Sequence, residues 1–353
     1  MSSGLTIEPL KRTVFRVDVP CDQELLFISD VHYDAMKCDR DLLTKHLTEA
    51  KKRGAAVFIF GDWFDLMQGK WDPRGTYSDL RPEYKSITYL DDVIEDSVQY
   101  FNQFKGTIRF LGRGNHETNI EKRMHTSPLD RVAALHNAAG GKITVGGYAG
   151  WLQMRMMRDD GRVRTTSYVH FHHGFGGNAP RSKGVLAVDL DQMQFPDADI
   201  IVRGHTHQKW YVPTTVDRIT NVGNLYQQRV HHLRTGSYKL LGDRFAGWAT
   251  EKGFNTPTLG GWWLKMGRNR KNETVQWEIQ EANERTRSWV HGSGTRLRAC
   301  SQQSARWCQA VRCCKRWVRS LTPPRRARQR SRRHASCCTN CSSWTGQMRE
   351  SAR

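Results

Sequence analysis

Five short apolar runs in this 353-residue chain each break off into a cluster of aspartate, histidine or asparagine, and that repeated junction limits the possible folds more than any other feature. Residues 24–29 lead into Asp30-Val31-His32, and residues 55–60 into Gly61-Asp62-Trp63-Phe64-Asp65. The run 107–111 precedes Gly114-Asn115-His116-Glu117, 167–171 alternates into His172-His173-Gly174, and 199–202 leads into Gly204-His205-Thr206-His207. Runs of this length and composition read as strands. In an α/β sheet the carboxyl ends of the strands are exposed together, which is where these polar clusters fall. Taken alone, Gly114-Asn115-His116-Glu117 reads equally as an active-site composition or as a polar turn whose Gly and Asn suit a positive φ.

Helical periodicity fills the intervals. Residues 39–53 predict a helix with Asp39 or Asp41 near its start, Leu42, Leu43, Leu47 and Ala50 on one face, and Gly54 as its stop. After a loop over 67–84, residues 87–104 carry Tyr89, Leu90, Val93, Ile94, Val98 and Phe101 at helical spacing, a stripe that reads as core. Further on, 216–222 reads as a strand, and 262–266 with 275–279 as a hairpin around the polar turn 267–272. None of these later segments ends in metal-ligand residue types, so they read as scaffold.

The net charge of +20 sits in the tail: residues 285–353 hold seventeen of the 55 Lys and Arg but only Glu350 of the 35 acids. The preceding body, with 38 basic and 34 acidic residues, is close to neutral. Cysteine is partitioned likewise. Cys21 and Cys38 are alone in the body, which points to a reducing, cytoplasmic setting without a disulfide framework. Residues 1–20 lack the apolar core of a signal peptide, and no apolar stretch is long enough to span a bilayer. The expected division is therefore a domain over 1–283 and a basic Arg/Ser/Cys-rich tail over 284–353, irregular or disordered. Three readings of that tail compete. A basic arm would bind nucleic acid through the arginines of 325–333. A zinc-binding appendage would use Cys338 and Cys341 with Cys313 or Cys314. A shifted reading frame through GC-rich coding DNA would give such a composition without any selected role.

Asp30, His32, Asp62, Asn115, His173, His205 and His207 together offer oxygen and imidazole donors with no thiolate, a set suited to Mn, Fe or Zn. Seven donors exceed the needs of one ion. If Asp62 bridges, each of two divalent ions receives four protein ligands. Two such ions about 3.5 to 4 Å apart can activate a water and offset the charge of a phosphoryl group in an in-line displacement.

The motifs Asp-x-His, Gly-Asp-x-x-Asp, Gly-Asn-His-Glu, His-Gly and Gly-His-x-His, in this order over about residues 25–222, resemble the full set of the calcineurin-like metallophosphoesterases. The resemblance implies an α/β fold with a layered β-sandwich flanked by helices, and hydrolysis of phosphate esters. It implies that Asp30, His32, Asp62 and His207 hold one metal and Asp62, Asn115, His173 and His205 the other. His116 would steady the transition state or protonate the leaving oxygen, and Asp65 and Glu117 would orient ligands.

His173 is preferred to His172 because the family's histidine directly precedes glycine, and strand alternation turns His172 the other way. His170 reads as an ordinary strand histidine. The run Gly174-Phe175-Gly176-Gly177 reads as a turn or as an approach to phosphate, and Arg113 as a substrate contact or a bystander. Lys70, Trp71, Arg74, Tyr77, Arg81 and Tyr84 interleave cations and aromatics in a way that suits a nucleotide or an ordinary solvated loop. Phosphodiesters, including nucleic acid or nucleotides, are the preferred substrate. Phosphomonoesterase or protein-phosphatase activity is the alternative within the class. Outside it, the alternative is a nucleic-acid-binding protein acting through its tail with a vestigial metal site.

Overall fold

The computed structural model describes residues 4–67, 79–176, 184–240, 258–268 and 275–282, all within the compact unit Met1–Ser288. Lys70, Trp71, Arg74, Tyr77 and the whole tail 284–353 lie outside the described residues. In chain order the strands are β1 (Thr6–Lys11), β2 (Val14–Pro20), β3 (Glu24–Ile28), β4 (Ala56–Phe60), β5 (Ile108–Gly112), β6 (Thr144–Val145), β7 (Ala149–Met157), β8 (Val163–His172), β9 (Ile200–Arg203), β10 (Trp210–Ile219), β11 (Leu225–Arg234), β12 (Gly261–Arg268) and β13 (Val275–Ala282). The helices are α1 (Arg40–Arg53), α2 (Tyr89–Asn102), α3 (Asn115–Met124), α4 (Pro128–Ala138) and α5 (Val188–Gln194).

These strands form two sheets, a seven-stranded one ordered β1-β2-β7-β8-β9-β11-β10 and a six-stranded one ordered β13-β12-β3-β4-β5-β6. The strands β3, β4, β5 and β6 run parallel, and β12 joins β3 antiparallel. The result is the mixed α/β architecture expected, two sheets flanked by helices. Leu25 and Phe27 of β3, with Phe58 and Phe60 of β4, pack in a core shared with the seven-stranded sheet. Leu26, Ile28, Val57 and Ile59 instead join Leu43 and Leu47 of α1, Val93 and Phe101 of α2, and Val132 of α4. Burial on both faces requires an unbroken apolar run, which is what the sequence shows.

Helix α1 begins and ends as its sequence requires. The Asp39 carboxylate accepts from Leu42 N at 2.9 Å, and Gly54 closes the helix in the left-handed region at φ 65°. Such a cap contributes about 1 kcal/mol.

The seven-stranded sheet departs further from expectation. In β2, Phe15, Val17 and Val19 point to the core while Arg16 and Asp18 point out, and β7 does the same with Leu152, Met154 and Met156. Arg155 and Asp18 form a two-bond ion pair across the outer face, at 2.6 and 2.7 Å. The expected strand 167–171 is the end of the longer β8. The expected strand 216–222 is the end of β10 plus the turn into β11, with Val222 82% exposed at its tip. The outermost strands β1 and β10 carry Pro9 and Pro213, residues that cannot donate to a further strand. The hairpin of β12 and β13 forms as expected. No helix among the described residues is long and apolar enough to cross a membrane.

Candidate metal centre

The strand ends converge through strained backbone. Asp30, His32, Asp62, His205 and His207 all adopt the left-handed region, with φ of 52°, 51°, 51°, 72° and 55°. A non-glycine residue held there costs on the order of 1 kcal/mol or more, so neighbouring contacts must fix it. The loops after β3 and β4 provide them: Asp30 N donates to Gly61 O at 3.0 Å, and Val31 N and His32 N both donate to Asp62 O, at 2.8 and 3.1 Å.

Asn115, His116 and Glu117 leave β5 as the first turn of α3, and not as a polar turn of positive φ. Gly114 is needed there, because a Cβ would lie 2.0 Å from Asp62 Oδ1. Glu117 is fully buried, and its carboxylate accepts from Asp62 N (3.1 Å), Phe64 N (3.0 Å) and Gly114 N (2.8 Å). It therefore ties the β4 loop to the start of α3 rather than touching a ligand side chain. Burial, reinforced by the charge of Asp62, pushes its carboxyl up to about 7.

Two candidate ligand clusters hold the expected residues, and a third group, His32, Asp65 and His116, lies beside them. Asp30, His32 and His207 form one, with His32 Nε2 3.2 Å from His207 Nε2 and His207 Nε2 3.4 Å from Asp30 Oδ1. Asp62, His173 and His205 form the other. There His173 Nε2 lies 3.0 Å from Asp62 Oδ2 and 3.1 Å from Asn115 Oδ1, which is itself 2.8 Å from His205 Nδ1. All seven expected ligand residues are thus brought together. The clusters are contiguous, since His205 N donates to the Asp30 carboxylate at 2.9 and 3.0 Å while its ring faces the other group. His116 stacks edge-on against His32, ring centres 4.8 Å apart, with its Nε2 3.7 Å from Asp62 Oδ2.

The outer nitrogens fix the tautomers. His173 Nδ1 lies 2.9 Å from Phe60 O and His205 Nε2 lies 3.0 Å from Gly176 O. A carbonyl only accepts, so these nitrogens carry the protons. The other nitrogens, His173 Nε2 and His205 Nδ1, face Asp62 and Asn115, and would direct lone pairs there once a bound cation displaces any proton they carry. His32 Nδ1 sits 2.8 Å from Asp65 Oδ1, which frees its Nε2 toward His207. Such convergent lone pairs, each steadied from behind, suit a divalent cation. The electrostatics agree. Burial pulls the His173 ring down, but the carboxylates of Asp62 and Asp30 outweigh it and push it up to about 10, so the pocket favours positive charge. Burial raises Asp30, yet His207 and His173 hold it down at about 2.

The structure gives partners to several neighbours that the sequence left open, and adds others. Arg113 is engaged by the fold: it binds Glu121 at 2.7 Å, Gly146 O at 2.7 Å, and Asp130. Arg81 donates to Ala35 O and Cys38 O, and Tyr84 is buried against Arg40 and Asp96, so both serve the fold. His172 stays outside the clusters and accepts from Gly174 N at 2.8 Å, and His170 stacks on Phe195. Sequence reasoning missed the stretch after β11. Ser237 Oγ and Tyr238 N donate to Asp30 O at 2.8 and 3.0 Å, and Lys239 Nζ binds Asp65 Oδ1 at 2.6 Å. Asp34 was missed too: it accepts from Asp65 N at 2.5 Å and Leu66 N at 3.0 Å. Its position two residues after His32 continues the Asp-x-His alternation and was the available signal.

A model of the calcineurin-like phosphoesterase family matches residues 24–209, and the chain belongs to that family. Membership suggests phosphoesterase hydrolase activity, and the family generally binds divalent metals, with the Asp and His clusters as candidate ligands. No curated protein matches the chain. Among solved structures, Vps29 of Chaetomium thermophilum is similar at 9% identity and a TM-score of 0.31, covering 74% of this chain and 95% of that one. Vps29 of Entamoeba histolytica complexed with zinc is similar at 11% identity and TM-score 0.29, covering 74% and 100%. A conserved uncharacterized protein of Streptococcus pneumoniae, described as a predicted phosphoesterase, is similar at 13% identity and TM-score 0.27, covering 74% and 91%.

Proposed function

We propose that the protein is a dinuclear-metal phosphoesterase acting on phosphodiesters, with nucleotides or nucleic acid as the substrate class. The observation that supports this most is the orientation of His32, His173 and His205, each with one nitrogen engaged by a carbonyl or carboxylate and the other facing the cluster. In this reading Asp30, His32, Asp62 and His207 hold one ion, and Asp62, Asn115, His173 and His205 the other. The donor set suits Mn, Fe or Zn, with Mn preferred, and such ions when bound supply an activated water and charge compensation at phosphorus. His116 contributes the proton. Its Nδ1 faces Asp65 O, which holds the ring with Nε2 beside Asp62, where the ring in its doubly protonated form would give the Nε2 proton to the leaving oxygen and become neutral.

The preference for a diester rests on charge. Among the described residues, the cations that the surrounding loops bring here are already engaged: Lys239 by Asp65, Arg113 by Glu121 and Asp130, and Arg234 by Gly204 O and Thr206. A monoester dianion needs more positive charge from the protein than a diester monoanion does. Among the described residues Cys21 and Cys38 are both free, which suits a cytoplasmic setting. The test is a substrate panel with Mn²⁺: bis-p-nitrophenyl phosphate, cyclic nucleotides, single-stranded DNA and p-nitrophenyl phosphate. Faster turnover of the diesters is expected. Turnover of the monoester alone would overturn the diester preference, and no turnover with Mn²⁺, Fe²⁺ or Zn²⁺ would overturn the activity.

A further inference from the structure

Arg203 of β9 and Arg234 of β11 stand side by side as register partners, and both are buried. Asp191 is taken by Arg203 through both of its carboxylate oxygens, and Asp30, the other acid whose charge reaches Arg234, makes no ion pair with it. Arg234 is left without an ion pair among the described residues, and its Nε has no hydrogen-bond partner. Burial, with the charge of Arg203 added, pulls its guanidinium down to about 10. Gly184 lies over it, such that a Cβ there would come 3.3 Å from Cζ, and the Trp210 ring lies 5.4 Å away. A buried cation without a carboxylate in contact and with an unpaired Nε is costly, so a role in stability alone is a poor account of it.

Its bonds point elsewhere. Nη1 donates to Thr206 Oγ1 at 2.8 Å and to Gly204 O at 3.3 Å. These two acceptors belong to the turn Gly204-His205-Thr206-His207, whose histidines are both left-handed and diverge, one ring to each cluster. Gly204 leaves no slack, since a Cβ on it would lie 2.4 Å from Ser29 Oγ and 2.6 Å from Asp30 Oδ2.

We infer that Arg234 is a positioning residue that holds the Gly204–His207 turn so that His205 and His207 present their ligand nitrogens to two metal ions at once. The inference rests on the dinuclear reading above. It sets Arg234 apart from any single ligand: its loss weakens both metal sites together. Arg234 also lies beyond residue 209, where the family match ends.

The experiment compares the wild type, Arg234→Met and Arg234→Lys, full-length, after EDTA treatment. Mn²⁺ binding is followed by calorimetry, the visible spectrum by Co²⁺ titration, and thermal unfolding without metal. For Arg234→Met, both Mn²⁺ affinities are expected to fall by about tenfold or more, with an altered Co²⁺ spectrum. Its metal-free melting temperature should stay near that of the wild type, because a similarly shaped apolar side chain replaces an unpaired buried charge. Arg234→Lys, able to reach one of the two acceptors, should fall between. Unchanged Mn²⁺ affinity and Co²⁺ spectrum in Arg234→Met would overturn the role, as would a lowered metal-free melting temperature with unaltered binding by the folded fraction. A wild type that takes up no Mn²⁺ or Co²⁺ would instead overturn the dinuclear reading itself.

Discussion

The six-stranded sheet sends Asp30, His32, Asp62 and Asn115 to the centre, whereas the seven-stranded sheet sends His173, His205 and His207. All the oxygen donors thus come from one layer, and all but one of the imidazoles from the other. The layers also fix their loops differently. Around Asp62 the backbone is gripped by carboxylates, Glu117 on three amides and Asp34 on two. Around His205 the turn is held from behind by the Arg234 guanidinium and by the carbonyl of Gly176. A centre built across two layers depends on their packing, and the core shared by Phe27, Phe60, Phe110 and Phe171 sits directly beneath it.

Breaking the oxygen side at its middle should have the largest effect. Asp62→Asn removes the charge nearest His173 and should lower turnover of bis-p-nitrophenyl phosphate by more than about a hundredfold, with weaker Mn²⁺ binding by calorimetry. His116→Ala separates chemistry from assembly: a loss on the order of 10² in turnover is expected, with Mn²⁺ stoichiometry unchanged. If Asp62→Asn leaves the rate alone, the two layers do not meet at a shared carboxylate.

Glu117→Ala tests the carboxylate grip. It leaves buried amides of Asp62, Phe64 and Gly114 without their acceptor, at about 1–3 kcal/mol each where water cannot enter. Urea unfolding should show a clear loss of stability, larger than for any exposed glutamate such as Glu8.

A smaller effect belongs to the outer face of the seven-stranded sheet. Burial, with Arg203 nearby, pushes His170 down to about 3, whereas an ordinary histidine takes its proton near 6.5. The folded state therefore binds fewer protons than the unfolded state between these values. The contribution of the neutral ring is complete above 6.5 and is lost as the pH falls toward 3. His170→Asn, studied in EDTA by urea unfolding between pH 7 and 4, should flatten the acid limb by at most about 1.4 kcal/mol per pH unit. An unaltered slope would mean that the ring gains its proton without leaving its place on Phe195. The least effect is expected from truncation after Asn283, which should leave turnover of small diesters unchanged. Nucleic-acid binding lost with the tail would assign that interaction to 284–353.

The contrast between the layers is also a contrast in legibility. In β3, β4 and β5 both faces are buried, so the sequence is apolar throughout and the polar residues that follow stand out. In β2 and β7 every second side chain faces out, and the alternation of Arg16, Asp18, Gln153 and Arg155 with core residues hid the strands. Arg234 and Lys239 were hidden for a related reason. Arg234 ends, and Lys239 follows, a strand that opens with polar alternation, and neither residue type suggests a metal site until its partners are known.

The sequence by itself determined the donor chemistry, the order of the motifs and the apolar strands that carry them, because residue type and local periodicity are properties of short stretches. Only the tertiary structure decided which nitrogen of each histidine faces inward, that Asn115 and His116 open a helix, that Arg113 serves the fold, and that Arg234 backs the Gly204–His207 turn. Those outcomes depend on carbonyls and carboxylates contributed by residues from 8 to 113 positions away. No local pattern encodes which of them the packing of the two sheets will bring within 3 Å.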